Sequence, residues 1–267
     1  MNVCVIGLGA VGLPTARYIC QYHSLYGLDL NIDKVKVANN YLKATEEWSK
    51  LPRVDAYILC VNTWWRNDKP DMSAIEDVCR HIKERNDAGL VSIESTVSLG
   101  TCRRIRKEIF DEKMTISSFP HRLYPAMEKE YGVRQMRILG SIPENGVAEG
   151  FYQSIEIPFF KVSPIELAEL TKITENSYRF IEIAFAEELA LLCKRNGLDF
   201  ETLRKACNTL KRRKEDWQVQ IMEARDGIGG TCLPKDIMFL LESANPKELI
   251  QGAVKTDEAY RKHKQIT

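Results

Sequence analysis

The 267-residue chain lacks the features that would mark it for a membrane, a nucleic acid or a metal. No apolar run approaches the roughly 20 residues that a membrane-spanning helix needs. The 38 basic residues nearly balance the 37 acidic residues, so the composition has no excess of positive charge that would favour binding to nucleic acid or anionic lipid. The eight cysteines form no CxxC pair and no zinc-like spacing. We therefore expect reduced thiols, no bound metal, and no nucleic-acid or membrane partner.

The N-terminus also lacks the pattern of a secretory signal peptide. Met1 and Asn2 lead directly into an apolar strand-like run and then a glycine turn. Together with the unpaired cysteines, this start indicates a cytoplasmic protein.

Short apolar runs alternate with helical patterns in residues 1–160, which is typical of parallel α/β winding. Strands are predicted over residues 3–8, 24–30, 55–61, 90–95, 114–118 and 136–140, and helices over residues 11–22, 31–50, 73–85 and 100–110. Ser73 and Glu76 have the spacing of a helix-capping box. The predicted fold class is α/β, beginning with a Rossmann domain whose sheet is doubly wound.

Residues 161–267 have few strand signals and predict an all-α domain for substrate binding and dimerisation. A helical pattern rich in alanine, leucine, isoleucine and glutamate runs through residues 164–196 and predicts a long central helix that ends at Gly197. Such a helix often buries one face against a second subunit, so we expect a homodimer formed through it. Further helices are predicted from Asp199 and after Pro234.

A dinucleotide-binding signature occupies the turn between the first predicted strand and helix. Its six residues, Gly-Leu-Gly-Ala-Val-Gly, place the cofactor-binding candidates at Gly7, Gly9, Ala10, Val11 and Gly12. In this motif the glycines permit a tight turn and a close approach of the pyrophosphate, which the helix N-terminus then binds. Asp29, 17 residues after the last glycine, can accept hydrogen bonds from a ribose diol and would repel a 2′-phosphate. The pattern predicts NAD rather than NADP, and a glycine turn without a ligand is the alternative.

A second group of candidates lies in the helical half. Residues 229–236 read Gly-Gly-Thr-Cys-Leu-Pro-Lys-Asp, which places Cys232, a possible nucleophile, four residues before the carboxylate of Asp236. Lys172 and Asn176 are also four residues apart on the long helix and share one face, where they could stabilise an oxyanion. An unreactive loop thiol and an ordinary solvent-facing helix surface are the simpler interpretations.

These motifs, taken together, resemble the UDP-glucose/GDP-mannose dehydrogenase family, the NAD-dependent nucleotide-sugar 6-dehydrogenases. The resemblance extends over nearly the whole chain, and the Gly-Gly-x-Cys-x-Pro-Lys-Asp segment is its most specific part. The matching segments are residues 7–12, 26–31, 61–63, 95–101, 172–176 and 229–236.

The resemblance implies a four-electron oxidation of a sugar C6 alcohol to a uronic acid, of the kind used in polysaccharide biosynthesis, with two NAD reduced. Cys232 would capture the aldehyde as a thiohemiacetal, and the thioester formed next would be hydrolysed. Asp236, Asn176 and Lys172 would activate the water and stabilise the oxyanion. The resemblance also assigns Thr96 to the nicotinamide and a catalytic water. It assigns Lys34 and Thr63 to the lining of the cofactor site.

The chain departs from the family pattern at several places. His121 stands where the family carries a glutamate, and a histidine can act as a general base near neutral pH. The sequence stops at Thr267, before the additional domain that binds the nucleotide of the sugar, so it resembles a short form. The region between residues 33 and 55 is shortened, and Trp64 and Trp65 replace a proline.

Two other functions fit parts of the pattern. A two-electron β-hydroxyacid-type dehydrogenase would share the Rossmann and helical domains and the lysine–asparagine helix, but would not use a cysteine. A catalytically altered NAD-binding protein would keep the cofactor turn and lose sugar oxidation. A nucleotide-sugar substrate is the partner expected from the leading interpretation.

Overall fold

The computed structural model describes residues 1–124, 127–128, 132–212 and 217–266. The chain forms two compact units, residues Met1–Lys172 and Ile173–Thr267. The division falls inside the long helix, whereas the sequence predicts a domain boundary at residues 160/161; that boundary stays a prediction. No helix in the described part of the chain combines the length and apolarity needed to cross a membrane.

The first unit is built on a sheet in which eight of the described strands pair in the order β10-β9-β8-β7-β4-β1-β2-β3. All neighbours are parallel except β8 and β9. The strands are β1 (Asn2–Ile6), β2 (Ser24–Leu28), β3 (Lys43–Thr45), β4 (Ala56–Leu59), β7 (Leu90–Ile93), β8 (Thr115–Ser118), β9 (Arg137–Ile142) and β10 (Phe159–Lys161). A separate hairpin contains β5 (Trp64–Arg66) and β6 (Lys69–Asp71).

This strand order creates a topological switch point between β1 and β4. From β1 the chain winds outward through β2 and β3, then returns to the other side of β1 and continues through β4, β7 and β8. In open α/β sheets the crevice at the carboxyl ends of two such strands is where ligands bind. The turn after β1 and the loop after β4 therefore mark the candidate site.

The helices of the first unit that accompany the sheet include, among the described residues, α1 (Gly12–Ile19), α2 (Ile32–Ala38), α3 (Ser73–Arg85), α4 (Thr101–Glu108) and α5 (Val147–Ser154). The sheet is buried because central parallel strands are covered on both faces. All residues of β4 and β7 are buried. The core packs side chains such as Val5, Ala16, Ile58 and Tyr152. These observations confirm the predicted α/β class.

The helix predicted over residues 31–50 is wrong beyond its first two turns. Helix α2 ends at Ala38, and the chain then forms β3 and a 3₁₀ turn at Trp48–Lys50. Asn39 provides the reason, because its side chain bonds both backbone groups of Ala44: its Oδ1 accepts from the N–H at 2.8 Å, and its Nδ2 donates to the carbonyl at 3.2 Å. This local pairing turns the chain towards β2.

The capping box predicted at Ser73 is also wrong. Ser73 is the first residue of α3 and Met72 is its N-cap, which makes no side-chain capping bond. The Ser73 hydroxyl instead donates to Asp71 Oδ1 at 2.6 Å, and the same carboxylate accepts from the Ser73 backbone N–H at 3.1 Å. The preceding aspartate, not Ser73, therefore orders this helix start.

The long helix α6 (Glu166–Arg195) is confirmed, and its first turns serve the first unit. Buried Glu169 accepts hydrogen bonds from the backbone N–H groups of Gly100 at 2.6 Å and Cys102 at 2.7 Å. These amides lie at the N-terminus of α4, where a helix binds anions favourably. The start of α6 thus fixes the end of the loop that follows β7.

The second unit contains the remainder of α6 with α7 (Phe200–Cys207), α8 (Cys232–Ser243) and α9 (Glu248–Ile266). Its core comprises Phe180, Ala184, Ile228, Ile237 and Ala253. Two-residue strands β11 (Lys211–Arg212) and β12 (Trp217–Gln218) form a short antiparallel ladder. This ladder is a small departure from the purely helical domain predicted from the sequence.

Gly197 has the φ of +63° expected of a residue that follows a helix C-terminus, as predicted.

Glu187 is a fully buried carboxyl group of α6. Neither of its side-chain oxygens has a hydrogen-bond partner among the described residues. Burial, with the nearby negative charge of Asp257, raises the pKa of Glu187 to about 7, and Arg261 offsets only part of this shift. Near neutral pH the second unit therefore holds a carboxyl group that is poised to change its charge.

The Glu187→Gln variant should be more stable than the parent near pH 8 and nearly equal to it near pH 5. The carboxyl pKa rises from 4.5 to about 7 on folding, so its ionisation destabilises the folded chain increasingly as pH rises through this window. The uncharged amide should gain roughly 1–3 kcal/mol near pH 8, measured by urea unfolding. Glu188→Gln, at the adjacent exposed position, is the control. Equal effects of Glu187→Gln at both pH values would contradict this account.

Candidate functional site

The glycine turn after β1 is packed at two of its glycines and open at the third. A Cβ at Gly7, whose φ is +90°, would lie 2.7 Å from the carbonyl oxygen of Cys60. A Cβ at Gly12 would lie 1.8 Å from the Gly7 carbonyl oxygen, so no other residue fits there. A Cβ at Gly9 would have Lys34 Nζ as its nearest neighbour, at 3.8 Å. The outer glycines therefore close β1 onto α1, and Gly9 leaves a backbone surface that a ligand can approach.

Ala10 and Val11 immediately precede the first residue of α1, so their backbone N–H groups lie at the helix N-terminus. This is the position at which a helix dipole and free amides favour a phosphate. The turn has the chemistry that a dinucleotide pyrophosphate requires.

Asp29 follows β2 and is almost fully buried beside this turn. Its Oδ2 accepts the backbone N–H of Leu8 at 2.7 Å, and its Oδ1 accepts that of Asn31 at 2.9 Å. Lys34 Nζ lies 3.4 Å from Oδ2. The carboxylate thus braces the glycine turn and, having further acceptor positions, can also bind a ribose diol.

The loops after β4 and β7 meet at the same edge of the sheet. The Thr63 hydroxyl donates to the Thr96 carbonyl oxygen at 2.6 Å, and the Ser95 hydroxyl donates to the Val61 carbonyl oxygen at 2.6 Å. The structure therefore brings two of the predicted cofactor-lining residues, Thr63 and Thr96, into direct contact. Their contact with a cofactor stays a prediction.

His121 lies inside a buried polar network that no motif in the sequence predicts. Its Nε2 contacts Glu94 Oε2 in a short hydrogen bond, and the same carboxylate oxygen accepts from Arg137 Nη1 at 3.0 Å. The other oxygen of Glu94 accepts from the Tyr152 hydroxyl at 2.7 Å. Both Glu94 oxygens are therefore satisfied by groups from three different segments of the chain.

The network continues in two directions from this carboxylate. Towards the sheet, the Tyr152 and Ser92 hydroxyls are 2.5 Å apart, and Ser117 donates to Ser92 at 2.8 Å. Towards the glycine turn, His121 Nε2 lies 3.0 Å from the hydroxyl of Thr15 on α1. The network thus links the strands of the sheet to the helix that begins at the cofactor turn.

The charges of this network are set by burial and by Arg137. Burial acts to raise the pKa of Glu94, but Arg137, His121 and Tyr152 outweigh it and hold that pKa below its ordinary value. Burial and the positive charges of Arg137 and Lys172 lower the pKa of His121, against the opposing effect of Glu94. At neutral pH the network therefore holds one carboxylate, one guanidinium and an uncharged imidazole.

Cys60, Glu94 and His121 also bring one potential metal-ligand atom each within 4.8 Å of one another. Arg137 Nη1 already neutralises the carboxylate, and burial raises the pKa of the Cys60 thiol well above its ordinary value. A protonated thiol and a guanidinium in contact with the carboxylate both oppose a bound cation. The arrangement favours an ion-pair network over a metal centre.

Cys232 and Asp236 occupy the first turn and a half of α8. Cys232 is exposed at the first residue of the helix, and Asp236 is fully buried. Asp236 Oδ2 accepts from Asn176 Nδ2 at 2.5 Å, and Oδ1 accepts from Lys235 Nζ at 2.5 Å. The structure therefore brings together two predicted residues, Asn176 and Asp236, and adds Lys235. Lys172 lies one turn before Asn176 on α6.

The residues missed from the sequence had weak signals. Glu94 directly precedes the Ser95-Thr96 motif, and Arg137 is a charged residue inside a run predicted to be a strand. A buried charge requires a partner, so Arg137 indicated that an acidic group lay nearby without identifying it. Lys235 is part of the motif that contains Cys232, but the motif alone indicates no role for it.

Comparison with known proteins gives matches to most of the chain. The UDP-glucose/GDP-mannose dehydrogenase family matches over residues 27–149 with its NAD binding domain and over residues 166–259 with its central domain. UDP-N-acetyl-D-mannosamine dehydrogenase of Pyrococcus horikoshii is 30% identical over 278 residues, covering 91% of this chain and 65% of that protein. The chain thus spans slightly less than two thirds of that relative's length.

Solved structures agree with these matches. The structure of UDP-D-ManNAc dehydrogenase from Pyrococcus horikoshii has a TM-score of 0.84 at 29% identity, covering 97% of this chain and 69% of that one. Mycobacterium tuberculosis 3-hydroxyisobutyrate dehydrogenase has a TM-score of 0.70 at 13% identity, covering 98% and 93% of the two chains, which is a similarity of fold alone. The matches confirm the predicted fold and NAD as the cofactor.

Asp29→Asn should weaken NAD binding by about tenfold, or about 1.4 kcal/mol, and weaken NADP binding less. The neutral amide binds a ribose diol less strongly, no longer repels a 2′-phosphate, and leaves Lys34 available to attract one. Calorimetry with each dinucleotide measures both affinities. Asp33→Asn removes a carboxylate of α2 whose side chain is 82% exposed and serves as the control. An unchanged NAD-to-NADP preference in the Asp29 variant would argue against the assigned role.

Proposed function

Because this chain belongs to the UDP-glucose/GDP-mannose dehydrogenase family, we propose that it oxidises the C6 alcohol of a nucleotide sugar to the carboxylate with NAD. One observation carries the proposal: exposed Cys232 begins α8, and four residues later Asp236 is held by Asn176. The Pyrococcus horikoshii relative is named for UDP-N-acetyl-D-mannosamine. We propose a UDP-N-acetylhexosamine as the substrate class.

The residues at the β1–β4 switch point fit NAD, because Gly9 leaves the backbone accessible where its neighbouring glycines are packed. In this proposal Gly9, Ala10 and Val11 bind the pyrophosphate, and Asp29 binds the adenosine ribose. Thr63 and Thr96 line the site, with Lys34 at its margin. Bound NAD supplies the hydride acceptor for each of the two oxidations.

Cys232 provides the covalent step between the two oxidations. Its sulfur adds to the C6 aldehyde to give a thiohemiacetal, which becomes a thioester after loss of a hydride and a proton. Water then releases the carboxylate and restores the thiol. The first residue of a helix is a favourable place for this sulfur, because the helix dipole stabilises negative charge there.

Asp236, Asn176 and Lys172 are proposed to orient the hydrolytic water and stabilise the oxyanion. Thr96 is proposed to hold a water beside the nicotinamide. His121 is buried and uncharged at neutral pH, so we propose that it acts as a hydrogen-bonding group linked to Glu94 and Thr15. His121 would occupy the position of the family glutamate but would not carry its negative charge.

Cys232→Ser should lower the rate of carboxylate formation by about a hundredfold or more, because a serine hydroxyl cannot form the thioester intermediate. The measurement is the yield of NADH and uronate per molecule of sugar consumed, for a panel of UDP-N-acetylhexosamines. The parent should produce two NADH per sugar. Cys20→Ser removes another exposed thiol and should leave both yields unchanged.

The same measurement separates this function from the two alternative functions. Turnover that survives in a second variant, Cys232→Ala, would favour a two-electron β-hydroxyacid-type dehydrogenase. NAD binding without turnover of any tested sugar by the parent would favour a catalytically altered NAD-binding protein.

We also propose that two copies of the chain associate through α6. Tyr178, Phe185 and Leu192 recur at seven-residue intervals on this helix and are 63%, 52% and 53% exposed. Residues at this spacing form a stripe along one side of a helix. Large apolar side chains gathered on one face indicate a contact surface, and a second copy of the same helix is complementary to it.

Phe185→Asp should weaken the dimer at least about a hundredfold, because it places a charge at the midpoint of the apolar stripe. Sedimentation equilibrium measures the association. Leu249→Asp, at a 73% exposed position of α9, introduces the same charge away from the stripe and should leave the dimer intact. A parent chain that is monomeric at high concentration would overturn this proposal.

A further inference from the structure

The loop that leads to Cys232 is attached to helix α9 at three successive points. The Tyr260 hydroxyl donates to the Arg225 carbonyl oxygen at 2.8 Å. Lys264 Nζ lies 3.3 Å from the carboxylate of Asp226. The third and most buried attachment is at Ile228, and it involves a pair of charged side chains on α9.

Asp257 and Arg261 bind both backbone groups of Ile228. The Asp257 Oδ1 atom accepts the Ile228 N–H at 2.8 Å, and the Arg261 guanidinium donates to the Ile228 carbonyl oxygen through Nη2. The two side chains also bind each other, since Arg261 Nε donates to Asp257 Oδ2 at 2.9 Å. Together they form a clamp that offers Ile228 one acceptor and one donor, as a neighbouring strand would.

The clamp is closely fitted to the loop. A Cβ at Gly227 would lie 2.7 Å from Arg261 Cγ and 2.9 Å from its Nε, so the guanidinium stem packs where a larger residue would stand. The Ile228 side chain is 1% exposed and packs in the core of the second unit. Ile228 is therefore fixed by its backbone and its side chain at once.

Only three residues separate this fixed point from the reactive thiol. Gly229, Gly230 and Thr231 join Ile228 to Cys232, and a Cβ at either glycine would meet no atom within 4 Å. On the other side, buried Asp236 anchors α8 to α6 through Asn176. The position of the sulfur thus depends on one anchor before it and one after it.

We propose that Asp257 and Arg261 are positioning residues that hold the Cys232 loop in the geometry that sugar oxidation needs. The proposal rests on the function proposed above, in which the Cys232 sulfur captures the aldehyde. Misplacement of a reacting group by about 1 Å can reduce a rate about a hundredfold, so a loosened loop should affect chemistry before it affects cofactor binding.

The decisive variant is Asp257→Ala, which removes the acceptor for Ile228 and the partner of Arg261. We expect kcat to fall at least tenfold, with the KM for NAD and the calorimetric affinity for NAD within about twofold of the parent. Aldehyde should escape before the second oxidation, so NADH per sugar consumed should fall from two towards one. Asp257→Asn keeps an acceptor for Ile228 and should recover part of the activity.

Asp226→Asn is the matched control, because Asp226 lies on the same loop and pairs with the same helix through a side chain that is 95% exposed. It should change neither kcat nor the NADH yield. If Asp257→Ala does not fold, Arg261→Lys tests the same clamp, since it retains the positive charge and loses the paired donors. In every variant circular dichroism confirms folding.

A second readout is independent of turnover. The rate of Cys232 alkylation by iodoacetamide, measured in a Cys20→Ser background, should change at least threefold in Asp257→Ala and stay constant in Asp226→Asn. Normal kcat, NADH yield and alkylation rate in a folded Asp257→Ala chain would overturn the positioning role. If the parent oxidises no sugar while the alkylation rates differ as expected, the proposed function fails and the clamp's control of the thiol stands.

Discussion

The contact on which the cofactor half depends is the approach of the start of α1 to the end of β1. The Gly7 carbonyl oxygen occupies the space that a Cβ at Gly12 would need, 1.8 Å away. This close packing aims the N-terminus of α1 at the crevice between β1 and β4. Asp29 braces the turn by accepting the Leu8 amide. The cofactor residues are arranged around this turn, and Thr15 of the same helix extends the arrangement to the buried network.

The network around Glu94 shows how the fold keeps charge beside a buried sheet. A carboxylate buried alone would be very unfavourable, but Arg137, His121 and Tyr152 all donate to Glu94. These three partners come from the segment after β8, from β9 and from α5, and Glu94 itself follows β7. The polar contact therefore joins α5 and the segment after β8 to strands that the backbone ladder already pairs, next to the loop that carries Thr96.

Local signals predicted a large part of this molecule. The glycine turn is contiguous, the long helix has a sustained helical pattern, and Asp236 follows Cys232 by one helical turn. What could not be predicted depends on pairings between distant residues. Glu94 and Arg137 are 43 positions apart, and nothing in either segment identifies the other. Asn39 ends α2 through a side-chain pairing that outweighs the helical pattern continuing past it. The clamp at Ile228 likewise joins positions 29 and 33 residues apart.

The stripe on α6 has a geometric consequence for the proposed pair of chains. Phe185 lies at equal distances along the chain from Tyr178 and Leu192. When two identical helices meet antiparallel about a two-fold axis, the residue at the centre faces its own copy and the outer two exchange partners. Phe185 would then stack against Phe185, while each Tyr178 would meet a Leu192. An inherited change at the central residue would appear twice at one point of contact, so it would alter the stability of the dimer more than a change at either end.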